Sequence, residues 1–245
     1  MRSASKYIHL ISATDSCGGA GNTLDVRIAS GMSFWPVCSI SGITAQSFDK
    51  VFDVHKTPDE IFAKQLELSL DYNISAVKIG ALFSMNQLKL VSEYLDKINV
   101  PVIYDPVFGP TNGKPFYNKE MIEFLKCNIL SKISVIAPNI NELEKLFHQK
   151  FNSISEAAIF VQKENPHKTT YYLKGGHFSG NELKEAIVDN KIKYVKKKKL
   201  NLSYSHGTGC MFSTFAACYL AKGLSYKRSF IKASKEVNKL LKSYF

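Results

Sequence analysis

Ser205-His206-Gly207-Thr208-Gly209-Cys210 stands directly before a stretch with apolar residues at Phe212, Phe215, Ala216, Tyr219 and Leu220. Spacings of three and four predict a helix over 209–222 that opens on a glycine-rich turn. Such a helix start offers convergent backbone N–H groups to an anion. Cys210, in the first turn, is expected to carry a thiol pKa lowered by the helix dipole, although a buried, inert cysteine is the commoner case.

Upstream of this helix, short apolar runs alternate with longer amphipathic stretches. The runs at 8–11, 34–40, 76–79, 102–104, 135–137 and 171–173 predict strands. Helical periodicity covers 58–72, 85–97, 118–126, 140–148 and 154–164, and returns at 225–243. This alternation argues for an α/β fold, with a mostly parallel central sheet covered by helices on both faces. After Lys174 the pattern changes, and 185–195 reads as a hairpin turning near Asp189-Asn190. No repeat, low-complexity linker or composition break divides the 245 residues, so a single domain over 1–245 is expected.

Composition narrows the function classes. Hydrophobic residues make up 45% of the chain, enough for a sizeable core, yet no apolar run approaches the roughly 20 residues of a membrane span. The N-terminal apolar stretch is too short for a signal peptide, so a cytoplasmic protein is expected. Cysteines at 17, 38, 127, 210 and 218 include no CxxC pair and no zinc-type Cys/His spacing, which suits reduced thiols. The net charge of +11 would attract anionic substrates or nucleic acid. No nucleic-acid motif accompanies it. Its densest cluster, Lys196 to Lys199, reads as the solvated end of an edge strand.

In parallel α/β sheets ligands sit beyond the carboxyl ends of the strands, and the informative residues fall there. After the first strand comes Asp15-Ser16-Cys17-Gly18-Gly19-Ala20-Gly21, whose glycines suit either a close ligand approach or a plain turn. Asp105-Pro106-Val107 places an acid where a hydrated Mg²⁺ could be held, or where a loop is capped. Pro138-Asn139-Ile140-Asn141-Glu142 fits a capping box as well as a metal–phosphate role. Lys174-Gly175-Gly176-His177 suits a phosphate or an ordinary loop.

Taken in this order, with Ile43-Thr44-Ala45-Gln46 and Val77-Lys78-Ile79-Gly80, these segments resemble the hydroxymethylpyrimidine and phosphomethylpyrimidine kinases of thiamin synthesis. That family lies within the ribokinase-like superfamily, which implies a three-layer sandwich and phosphoryl transfer from ATP with Mg²⁺ to a hydroxymethyl group. By position the resemblance implies that Ala20, Gly21, Asp25, Gln46 and Val107 line the pyrimidine pocket. It sets Asp105 and Glu142 near the metal, and Asn139, Lys174 and Thr208 near the nucleotide. Gly207, Gly209 and Cys210 become the anion hole and catalytic base, and a homodimer is implied. The sequence departs from the family pattern at Ala13, Thr23, Leu24 and Ala81, and at Asn112-Gly113-Lys114. Several of these touch the implied acceptor pocket, so pyridoxal kinase and an inactive pyrimidine-binding homologue are the alternatives.

Overall fold

The computed structural model describes residues 6–109, 115–165, 167, 169–175, 182–198 and 206–244. Among them, nine strands form one sheet in the order β3-β2-β1-β4-β5-β6-β7-β8-β9. The strands are β1 (Tyr7–Asp15), β2 (Trp35–Gln46), β3 (Val51–Lys56), β4 (Ile74–Ile79), β5 (Val102–Tyr104), β6 (Val135–Ile136), β7 (Thr170–Leu173), β8 (Glu182–Val188) and β9 (Ile192–Lys198). Pairing is parallel from β2 through β1 and β4 to β7, and antiparallel for β2–β3, β7–β8 and β8–β9. Strand order reverses at β1, the switch point beside which such sheets open a crevice.

Helices α1 (Gly21–Gly31), α7 (Thr208–Ala221) and α8 (Tyr226–Tyr244) cover one face. The other face carries α2 (Asp59–Ser69), α3 (Met85–Leu95), α4 (Lys119–Asn128), α5 (Ile140–Phe147) and α6 (Ile154–Glu164). Residues of β1 serve both layers: Ile8 and Leu10 pack with the first group and Ile11 with the second. That two-sided burial is why the central strands are continuous apolar runs. Polar residues set several helix starts. The side chains of Ser84, Asn118 and Ser153 accept the backbone N–H groups of Gln87, Met121 and Glu156.

The predicted α/β sandwich is the observed one, with three local differences. The strand expected over 34–40 runs on to Gln46, because its distal half pairs with β3, which the apolar pattern did not mark. Helix α1 also went unassigned: its inner face buries Asn22 and Asp25, which interrupts the apolar period. The hairpin at 185–195 is present as β8 and β9, with β9 at the sheet edge. Lys196 is exposed there, but Lys197 turns inward, 3.0 Å from Glu185, and Lys199 lies outside the described residues.

Candidate active site

The carboxyl ends of five parallel strands deliver polar residues to one cavity of about 420 Å³. β1 ends on Asp15, β4 carries Lys78, β5 leads into Asp105, β6 into Asn139 and β7 into Lys174, while the start of α7 closes one side. Of the residues implied at the site, Ala20, Gly21, Gln46, Val107, Asp105, Asn139, Glu142, Lys174, Gly207, Thr208, Gly209 and Cys210 all line this cavity. Asp25 does not. It points from α1 into the protein, fully buried, and bonds to Lys78, Ser12 and Thr214. Its place is under the pocket rather than on its wall. Ser205, Gly176, His177 and the 112–114 segment lie outside the described residues.

Two glycine turns meet beside the cavity. Gly207 caps α7 with φ of 77°, and a Cβ there would run into the carbonyl oxygen of Gly19. Only glycine fits both conditions. Met211 N–H closes the first helical bond onto Gly207 at 2.8 Å. The N–H groups of Gly209 and Cys210, in the first turn ahead of that bond, are disposed to bind an anion. A Cβ on Gly209 would come within 3.2 Å of Lys174 Nζ and 3.5 Å of Asp105 Oδ2, so the helix start presses onto that charged pair.

Lys174 Nζ donates to Asp105 Oδ1 at 2.7 Å and stands 4.0 Å from Glu142 Oε2. Ser213 Oγ donates to Asp105 Oδ2 at 3.2 Å. The capping box is real: Glu142 N–H donates to Asn139 Oδ1 at 3.0 Å, and Asn139 N–H donates to Glu142 Oε2 at 2.7 Å. Yet Glu142 also faces the cavity, so the cap and the site share one carboxylate. Burial beside Asp105 pushes the Glu142 carboxyl up to about 7, against the pull of Lys174. Two carboxylates with one lysine between them form an oxygen-donor set of the kind a hard cation accepts, so these residues fit Mg²⁺.

Cys210 corrects an expectation. Burial pushes its thiol up to about 11, with Lys78 opposing the rise while Asp25 and Asp105 reinforce it. The helix start is present, but desolvation of a thiolate exceeds its effect. The Gly21 N–H bonds to the same sulfur.

At the opposite rim, His206 Nε2 lies 3.1 Å from Asp15 Oδ2. Asp15 also accepts from the N–H groups of Cys17 at 2.8 Å and Ala20 at 2.7 Å. Burial works to raise its pKa, but the bonds from His206 and Cys17 bring it down to about 2. A carboxylate so firmly ionised only accepts, so His206 carries its proton on Nε2. Gln46 Nε2 is 3.2 Å from the same nitrogen, and its amide meets that N–H productively through the oxygen when turned over.

Sequence reasoning gave no role to Lys78, Ser12, Thr214 or the Asp15–His206 pair. Lys78 left a signal, a cation inside the apolar strand Ile74–Ile79. The pairing of residues 191 positions apart left none.

A family model described as phosphomethylpyrimidine kinase matches residues 15–245. The hydroxymethylpyrimidine/phosphomethylpyrimidine kinase of Aquifex aeolicus is 30% identical over 246 residues, covering 96% of each chain. The Haemophilus influenzae protein of the same name is 32% identical over 228 residues, covering 89% of this chain and 84% of its own. Among solved structures, Staphylococcus aureus pyridoxal kinase in complex with AMP-PCP superposes with a TM-score of 0.88 at 26% identity, covering 98% of this chain and 89% of that one. Phosphomethylpyrimidine kinase from Clostridium difficile gives 0.83 at 25%, covering 96% and 99%.

Proposed function

The chain belongs to the phosphomethylpyrimidine kinase family, and from that premise we propose that it moves the γ-phosphoryl group of ATP onto the hydroxymethyl group of 4-amino-5-hydroxymethyl-2-methylpyrimidine. Its monophosphate is a second acceptor in this reading, and residues 1–245 act as one kinase domain in thiamin synthesis or salvage. One observation carries the proposal: the cavity joins an anion-binding helix start to the Asp105–Lys174–Glu142 cluster and to an amide-bearing pocket at Gln46.

Phosphoryl transfer through a loose transition state rests mainly on positioning and charge stabilisation. Gly207, Gly209 and Cys210 cradle the transferring group with backbone N–H donors. Thr208, Asn139 and Lys174 hold the nucleotide, and Ala20, Gly21, Gln46 and Val107 line the acceptor, with Asp25 supporting from below. Asp105 and Glu142 would hold Mg²⁺, which when bound supplies positive charge against the phosphate oxygens. The acceptor oxygen bonds to phosphorus as the bond to the β-phosphate breaks. Its proton passes late to the Cys210 thiolate, the minor form of a thiol that burial keeps protonated.

A homodimer is part of the proposal. Ile43 and Phe52 are 58% and 67% exposed on the β2–β3 edge, flanking a groove with Ala45 and His55 that a second copy would cover.

The test is ADP release with ATP–Mg²⁺ and a panel of vitamin-precursor alcohols. The pyrimidine alcohol is expected to turn over fastest. A pyridoxal kinase is the second reading, favoured by the fit to the Staphylococcus aureus enzyme. Preference for pyridoxal would establish it, and silence with both alcohols would leave only a binding protein.

A further inference from the structure

Asp15, Cys17 and His206 hold a carboxylate oxygen, a thiol sulfur and an imidazole nitrogen, all within 4.8 Å of one another. The first two lie on the turn after β1 and the third just before α7, at the rim of the cavity. His206 Nε2 and Asp15 Oδ2 stand 3.1 Å apart. Two ligand atoms bonded at roughly 2.0–2.1 Å to one tetrahedral zinc ion lie about 3.3 Å from each other. Nitrogen and oxygen therefore already hold nearly the separation such an ion imposes. The Asp15 carboxylate is fixed from behind by the N–H groups of Cys17 and Ala20, the outer-shell support that metal ligands require. The Cys17 thiol reaches the same carboxylate, and the residue is half-buried rather than sealed in the core.

From this geometry we infer that Asp15, Cys17 and His206 form a binding site for a borderline-soft divalent cation of the zinc class, whose occupancy shuts the acceptor end of the cavity. Its mixed sulfur, nitrogen and oxygen donors separate it from the oxygen-only pair Asp105 and Glu142, which suits a hard ion. On binding, Cys17 releases its thiol proton to solvent. His206 keeps one proton, on Nδ1, and turns its Nε2 lone pair to the metal. Water completes the tetrahedron. Zinc then occupies the position of the hydrogen that now joins His206 to Asp15. It also takes from Gln46 the imidazole N–H that faces its amide. The effect on the acceptor rests on the proposed function above, in which Gln46 reads that substrate.

Cobalt(II) titrated into the full chain without ATP tests the site directly. A sulfur-to-cobalt charge-transfer band with tetrahedral d–d absorption is expected, and added zinc should abolish it by displacement. Cys17→Ser should lose the charge-transfer band and bind cobalt at least about tenfold more weakly. Its metal-free turnover should stay close to that of the unaltered chain. In kinetics at fixed ATP–Mg²⁺, zinc should raise the acceptor KM of the unaltered protein and leave that of Cys17→Ser unmoved. Absence of the band, or its survival in Cys17→Ser, overturns the site. A band lost in Cys17→Ser, together with an acceptor KM indifferent to zinc, keeps the site but overturns the closure and the acceptor's place beside Gln46.

Discussion

Lys78 Nζ lies 2.6 Å from Asp25 Oδ2, with neither side chain exposed, at the floor of the cavity. Ser12 donates to the same carboxylate oxygen at 3.0 Å and Thr214 to the other at 2.6 Å. Thr214 sits four residues beyond Cys210 on α7, so the network ties that helix to α1 and β4.

Breaking one partner of a buried pair costs more than removing both. Lys78→Met is expected to destabilise the fold by about 3–5 kcal/mol, because it leaves the Asp25 charge unpaired in the interior. Adding Asp25→Asn should recover much of the loss. Urea midpoints of the single and double variants decide it, and equal destabilisation in both would contradict an ion-pair role.

Cys210→Ser should bind both substrates and lose about 10²–10⁴-fold in turnover, the usual share of a general base. The thiol's raised pKa, about 11, sets the sign of the pH effect. The thiolate fraction grows with pH across the neutral range, so kcat/KM should rise with alkalinity. Cys210→Asp, a stronger acid than the thiol at the same buried position, should move the rise to lower pH. Wild-type turnover in Cys210→Ala would reduce the thiol to packing.

Glu142→Gln separates the cap from the metal role. The amide oxygen can still accept from Asn139 N–H, so the thermal midpoint should hold. Turnover is expected to fall at least about tenfold, a small part of the several kcal/mol that a metal's charge can supply. An unchanged rate across a magnesium titration would return Glu142 to capping alone.

His9 predicts acid sensitivity far from the cavity. Its ring bonds Tyr94 Oη at 2.8 Å and Ser39 Oγ at 2.9 Å, and burial lowers its pKa from 6.5 to about 3. The unfolded chain takes up this proton first as pH falls. Stability from neutral His9 is thus complete above 6.5 and drains toward 3, at about 1.4 kcal/mol per pH unit. Glu142, with its raised pKa, works in the opposite sense between its unfolded value and about 7. Urea unfolding of His9→Gln beside the unaltered chain isolates the histidine: the variant should lose the acid-side slope, and identical slopes would refute it.

The sheet was legible because its central strands are buried on both faces and its helices keep one apolar stripe. Strand β3 was not, since Phe52, Asp53, His55 and Lys56 are all exposed and its pairing with β2 satisfies only backbone. At the site, residues following each strand could be picked out by topology alone. What a linear reading lacked was burial. The family resemblance set Asp25 on the pocket wall, and nothing in the chain places Lys78 beside it; Cys210 was given a low pKa because a helix start is visible in sequence while desolvation is not.

The contact between Gly207 and Gly19 also bears on when the catalytic apparatus exists during synthesis. Seven strands and most of the crevice come from the first 175 residues, whereas the glycine-capped start of α7 is encoded some 190 residues after the Gly19 turn it touches. A nascent chain that has emerged only to β9 lacks α7, and with it the helix start that lines the cavity. A side chain at position 207 would run into the Gly19 carbonyl, so the two distant stretches close on each other only while that residue is glycine.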